Sequence, residues 1–127
     1  RDGTDITLVT WGAQVKESLE AAEQLAKEGI SAEVIDLATL TPLDFDTIAE
    51  SVQKTGRCVI VHEAPRTAGF GAEIAARIAE ECIYDLLAPV VRVTGWDIHT
   101  PLYRLENKQL PSAARVVAAA KRTLAAG

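Results

Sequence analysis

The sequence predicts an α/β fold of three layers, α/β/α, built on a mainly parallel sheet of four strands in the order 2-1-3-4. Three observations predict it. Short β-rich apolar runs alternate four times with longer stretches of helical periodicity. The first and third runs, ITLVTWG and CVIVHE, are the most apolar and suit central strands covered on both faces. The second and fourth, SAEVIDL and VVRVTG, are more polar and suit the edges. Short connections and right-handed crossovers turn such alternation into a parallel sheet with helices on both sides.

The first strand spans Ile6 to Gly12, where glycine ends it. Val15, Leu19, Ala22 and Ala26 then recur at helical spacing, with Gly29 as the stop. The second strand, Ser31 to Leu37, leads into TLTPL, where Pro42 holds Thr41 out of the helical region. Asp44 is placed to cap a helix that buries Phe45, Ile48 and Val52 and ends at Gly56. The third strand runs from Cys58 to Glu63. Beyond HEAPRTAGFGAEI, the spacing of Ile74, Ile78, Cys82 and Leu86 predicts a long helix ahead of Pro89. Val91 and Val93 alternate with Arg92 and Thr94 in a half-exposed strand from Val90 to Gly95. An irregular stretch, WDIHTPLYRLENKQLP, precedes a last helix capped by Ser112. That helix turns Val116, Val117, Ala120 and Leu124 inward and Arg115, Lys121 and Arg122 outward.

The 127 residues suffice for one domain with a core, and the opening RDGTD, without an initiator Met, reads as the interior of a longer chain. A net charge of −5 without a basic cluster argues against nucleic acid as a partner. The longest apolar stretches fall short of a membrane span. Cys58 and Cys82, in a strand and a helix, read as buried, reduced thiols and not as a disulfide framework. No repeat or low-complexity tract interrupts the pattern.

In the order 2-1-3-4 the strand order reverses between the first and third strands. Ligands of such sheets favour the crevice at the carboxyl ends of those two strands. Trp11-Gly12 and His62-Glu63 are therefore expected to be neighbours. Several chemistries for that crevice fail on residue type. A dinucleotide fingerprint needs a third glycine where Ile74 stands, and no G-K-[ST] phosphate loop occurs. A hydrolase needs a nucleophile beside a base, and no G-x-S-x-G elbow is present. A phospho-receiver needs acidic residues where Trp11-Gly12 and His62 stand, and a flavin module wants a hydroxyl-rich loop in place of WGAQV. His62, Glu63, Asp97 and His99 show no metal-ligand spacing.

Two readings of HEAPRTAGFGAEI stay open on these residues. In one it is a shaped joint, with Pro65 setting the loop exit and Gly69 and Gly71 allowing close packing before the helix. In the other the helix start forms an anion nest and His62 titrates near neutral pH. Arg66 serves either, as a loop ion pair or an interface anchor. The candidate loop is thus Gly12, His62, Glu63, Arg66, Gly69 and Gly71, and an independent small-anion-binding module is the alternative function.

The segments VTWGAQVKESLEAAEQL, VIDLATLTPLD, VIVHEAPRTAGFGAEIAARI and LLAPVVRVTGWDIHTP, in this order, resemble the carboxyl-terminal transketolase-type domain. The likeness is to beta subunits of thiamine-diphosphate-dependent 2-oxo acid dehydrogenases and covers about residues 3 to 124. His62-Glu63-Ala64-Pro65 with Gly69-Phe70-Gly71 leans toward the branched-chain type over the pyruvate type. Domains of pyruvate or acetoin dehydrogenase, transketolase and deoxyxylulose-phosphate synthase are alternatives.

The resemblance implies that thiamine diphosphate and magnesium lie between the alpha subunit and a preceding pyrimidine-binding domain, and not in this chain. It implies no catalytic residue or metal ligand here, and a role in assembly with an alpha subunit and a second beta subunit. It also implies an antiparallel edge strand supplied upstream, whose absence would leave one sheet edge open. For docking a small basic domain of the dihydrolipoyl acyltransferase, Glu80, Glu81 and Asp85 are the candidate acidic patch. Leu87 stands where the family often carries glutamate, in L-E-A-P. The expected location is cytoplasmic, or the mitochondrial matrix in a eukaryote.

Overall fold

A computed structural model describes residues 1–40, 42–65, 69–95 and 112–126. The elements run β1 Ile6–Thr10, α1 Gln14–Lys27, β2 Ala32–Asp36, α2 Phe45–Thr55, β3 Cys58–Pro65, α3 Phe70–Glu81, β4 Val91–Gly95 and α4 Ala113–Ala126. The four strands pair in parallel in the order β2-β1-β3-β4, as the sequence predicts.

Alternation along the strands divides the core in two. Ile6, Leu8, Val59, Val61 and Val93 face α1 and α4, where Ala22, Leu25, Val116 and Ala120 close over them. Val9, Cys58 and Ile60 face α2 and α3 and meet Ile48, Val52, Ile74 and Ile78. Each fully buried aliphatic side chain of this kind contributes about 1.5–3 kcal/mol through removal from water. Thr7, on the second face, is buried too and is satisfied by Ser51 Oγ at 2.7 Å and Thr55 Oγ1 at 2.8 Å.

The helix ends follow their local chemistry. Asp44 accepts from Thr47 N–H at 3.3 Å and Ser112 Oγ from Arg115 N–H at 3.3 Å, each capping its helix. Gly56 ends α2 at φ 72°, and its N–H donates to Val52 O at 2.7 Å.

Four expectations change. The inward stripe of α1 is Gln14, Ser18, Ala21, Ala22 and Leu25, while Leu19 is 39% exposed and Ala26 lies on the solvent side. The stripe keeps helical spacing but begins with polar residues. The third helix stops at Glu81; Cys82 leaves helical geometry at φ −124°, and a 3-10 turn, Ile83–Asp85, follows, with Leu86 beyond it. Arg115 turns onto the sheet instead of outward, its Nη2 donating to Thr94 O at 2.9 Å. The third strand extends through Pro65, with an irregular register against β4 between Val61 and Pro65.

The first residues lie on the outer edge of β2. Arg1 and Val34 exchange both main-chain hydrogen bonds, at 3.3 and 2.9 Å, the pattern of a narrow antiparallel pair. Gly3 N–H donates to Glu33 Oε1 at 3.1 Å, and Lys54 pairs with the same carboxylate from α2. The expected stretch 96–111 lies outside the described residues.

Candidate functional site at the crest of β1 and β3

The carboxyl ends of β1 and β3 meet as the strand order requires. Trp11, just past β1, stacks on His62 of β3 with ring centroids 5.2 Å apart and planes 11° apart. Phe70, the first residue of α3, meets Trp11 edge-on at 6.1 Å. Such aromatic pairs contribute about 0.5–1.5 kcal/mol beyond the area they bury.

His62 is 1% exposed, and neither Nδ1 nor Nε2 has a hydrogen-bond partner among the described residues. Burial, aided by the positive charge of Arg92 on β4, pushes its pKa below the ordinary 6.5 and keeps the imidazole neutral at pH 7. The near-neutral titration expected of this histidine is thereby displaced downward.

The glycines of the crest do different things. Gly12 follows β1 at φ 62° with no atom within 4 Å of where a Cβ would stand. Gly71, in the first turn of α3, lies so close to β3 that a methyl group there would collide with His62 Nε2 and Cδ2 and come within 3.2 Å of Ile60 Cγ2. Gly69 is the N-cap of α3 at φ −70°, an extended conformation open to any residue, and offers no side-chain cap. Glu63 points to solvent, and Arg66 lies outside the described residues.

The second candidate group lies at the far end of α3. Glu80, Glu81 and Asp85 are all exposed, and Glu81 approaches Arg77 at 3.9 Å. Pattern reading missed the exposed apolar side chains among and just beyond them. Ile83 is 52% exposed, Tyr84 fully so and Leu87 59%. The early end of α3 is what turns them outward. The residue run ECIYDLL carries no signal of that early end, because Cys82 and Leu86 keep helical spacing.

Among the described residues no group of three or more His, Cys, Asp or Glu side chains is arranged to hold a metal ion. A diphosphate-bound magnesium requires several oxygen ligands, and among the described residues the crest offers the single carboxylate of Glu63 beside an apolar stack and one neutral imidazole. These residues do not make a thiamine diphosphate–magnesium site. Two surface hollows, of about 520 and 400 Å³, lie along β2 and α2 and include no residue of the crest.

The strand order, the crossovers and the switch-point crest define a doubly wound α/β domain. The chain belongs to the transketolase C-terminal domain family, whose match spans residues 1–116. It is 51% identical over 124 residues to the pyruvate dehydrogenase E1 component subunit beta of Staphylococcus epidermidis, covering 98% of this chain and 38% of that protein. It is 50% identical over 125 residues to the 3-methyl-2-oxobutanoate dehydrogenase subunit beta of Mycobacterium tuberculosis, covering 98% of this chain and 36% of that one. The chain thus spans less than two fifths of the length of these curated relatives. Among solved structures it is similar to a split gene transketolase, an inactive beta4 tetramer, with a TM-score of 0.86 and 36% identity, covering 98% of this chain and 40% of that one. A 2-oxoglutarate:ferredoxin oxidoreductase from Magnetococcus marinus, at TM-score 0.64 and 14% identity over 98% of this chain and 18% of its own, shares the fold.

Proposed function

We propose that residues 1–127 are one carboxyl-terminal domain of a longer beta subunit, serving assembly in the decarboxylating component of a 2-oxo acid dehydrogenase complex. The observation that carries this reading is the similarity, at about half of all positions and along nearly the whole chain, to two beta subunits of such dehydrogenases. The parent enzyme decarboxylates a 2-oxo acid with thiamine diphosphate and magnesium held elsewhere, and passes the acyl group to a lipoyl carrier. The isolated domain is inactive, and its partners are an alpha subunit, a second beta subunit and a dihydrolipoyl acyltransferase. Its place is the cytoplasm.

Identities of 51% and 50% do not divide the pyruvate from the branched-chain reading. The pair His62-Glu63 supports the branched-chain substrate. Turnover of pyruvate and of 3-methyl-2-oxobutanoate by the complete enzyme decides between them, and a preference for pyruvate reverses the choice.

For the acyltransferase, Ile83, Tyr84 and Leu87 beside Glu80, Glu81 and Asp85 make an apolar centre with an acidic rim, suited to a small basic domain. Tyr84→Ser in the complete enzyme is expected to weaken acyltransferase binding about tenfold or more, as for an aromatic anchor. Alpha–beta assembly, read by light scattering, should persist. Unchanged acyltransferase affinity removes this surface from the proposal.

A further inference from the structure

The crest of β3 and α3 carries a feature that assembly alone leaves without a use. The first turn of a helix presents main-chain N–H groups without intrahelical acceptors. In α3 the N-cap is Gly69, so no side chain answers them. A buried imidazole lies directly under that turn, because His62 Nε2 occupies the space into which a Gly71 side chain would project. Both nitrogens of His62 lack partners among the described residues, and the side chain is 1% exposed. The Trp11 stack fixes the plane of the ring. A buried polar group without a partner is destabilising, so a site of this kind favours any ligand that supplies one.

We propose that the first turn of α3 and His62 together bind a small oxyanion, a sulfate-, phosphate- or carboxylate-type group. The amides of the turn and a ring N–H are donors, and the helix dipole adds positive potential at that end. Arg92 on β4 adds more, since its charge acts on His62. The absence of a side chain at Gly71 lets the ring lie against the turn, since any Cβ there would overlap Nε2 and Cδ2. Among the described residues, the charged groups on the elements flanking the ring are Arg92 on β4, exposed Glu63 on β3 and exposed Glu73 in the first turn of α3; Trp11 beyond β1 is uncharged. An anion at this place raises the proton affinity of His62. Binding therefore strengthens as pH falls through the range where the bound imidazole takes up its proton.

Titration of the 127-residue protein with sodium sulfate tests the site, followed by the Gly71 amide and His62 ring signals in NMR. Sodium chloride at matched ionic strength is the control, and sulfate keeps its charge between pH 8 and 6. The expected result is a saturable shift at both residues that tightens from pH 8 to pH 6. A response to sulfate identifies a free oxyanion ligand. A response to acetate alone narrows the ligand to a carboxylate. His62→Phe, which keeps the ring stack and removes both nitrogens, should weaken binding about tenfold, and His62→Gln, which keeps a donor, should weaken it less. Signals that move no further in sulfate or acetate than in chloride overturn the proposal, as does undiminished binding by folded His62→Phe. The wild-type titration decides even where a variant fails to fold. Failure here leaves the subunit reading intact, because that reading rests on the beta-subunit relatives.

Discussion

The two strand-to-helix joints at the crest, β1 to α1 and β3 to α3, carry glycine for opposite reasons. Gly12 has open space around it and a backbone angle, φ 62°, that side chains resist. Gly71 lies within α3 and has no space at all, because His62 and Ile60 press against it. One joint is limited by torsion and the other by contact. Glycine in a sequence thus reports two physical demands that only geometry separates.

Substitutions can break this comparison. The largest effect is expected beneath the closed joint. Ile78 of α3 is fully buried against the sheet, and Ile78→Ala should cost about 2–5 kcal/mol in urea unfolding. A cost below about 1 kcal/mol would mean that α3 does not seal that face. Next comes Gly71→Ala, where overpacking should cost about 1–3 kcal/mol. Adding His62→Ala should recover part of that loss, since the clash needs both partners. Additive losses would show that the collision is not with His62.

At the open joint the expected loss is smaller and its cause different. Gly12→Val should cost about 1–2 kcal/mol from the left-handed backbone, whereas Gly12→Asn, which tolerates that region, should cost less. The hazard at Gly12 is torsional strain and not crowding. Equal losses for Val and Asn would assign it to crowding instead.

The smallest effect is a pH dependence. The folded pKa of His62 lies below its ordinary 6.5, so the unfolded chain takes up the proton first. Stability is full above pH 6.5 and falls as pH drops from there through the folded value. Removing the imidazole with His62→Phe should flatten this part of the urea-midpoint profile; an unchanged slope would assign it elsewhere. Glu33 acts in a separate window. Burial raises its pKa, but bonds from Lys54, Ser51 and the Gly3 amide outweigh that and bring it below 4.5. The stability it contributes is present above pH 4.5 and lost as pH falls through the folded value.

Much of this was legible beforehand because strand composition reports burial. The apolar runs at Ile6 and Cys58 had to be central, and the order 2-1-3-4 then forced Trp11 beside His62. Hydrophobicity failed where polar residues are buried for shape. Gln14 and Ser18 sit inward while Leu19 is exposed, because the helical stripe through Ala21, Ala22 and Leu25 fixes the rotation. Arg115 turns inward and donates to the strand-end carbonyl of Thr94, a contact that no spacing in α4 announces. The closeness of Gly71 to His62 depends on how deeply α3 settles, a property of three dimensions.

Leu87 joins two parts of the chain that the sequence keeps 31 residues apart. Its N–H donates to Gly56 O at 2.8 Å, and its side chain lies over Gly56 at the end of α2. The outward-facing Ile83 and Tyr84 are thereby moored to a helix terminus instead of hanging from slack chain. A tug on that surface is carried into the body of the molecule through one peptide group and one leucine, so a bound neighbour would pull against a stiff footing.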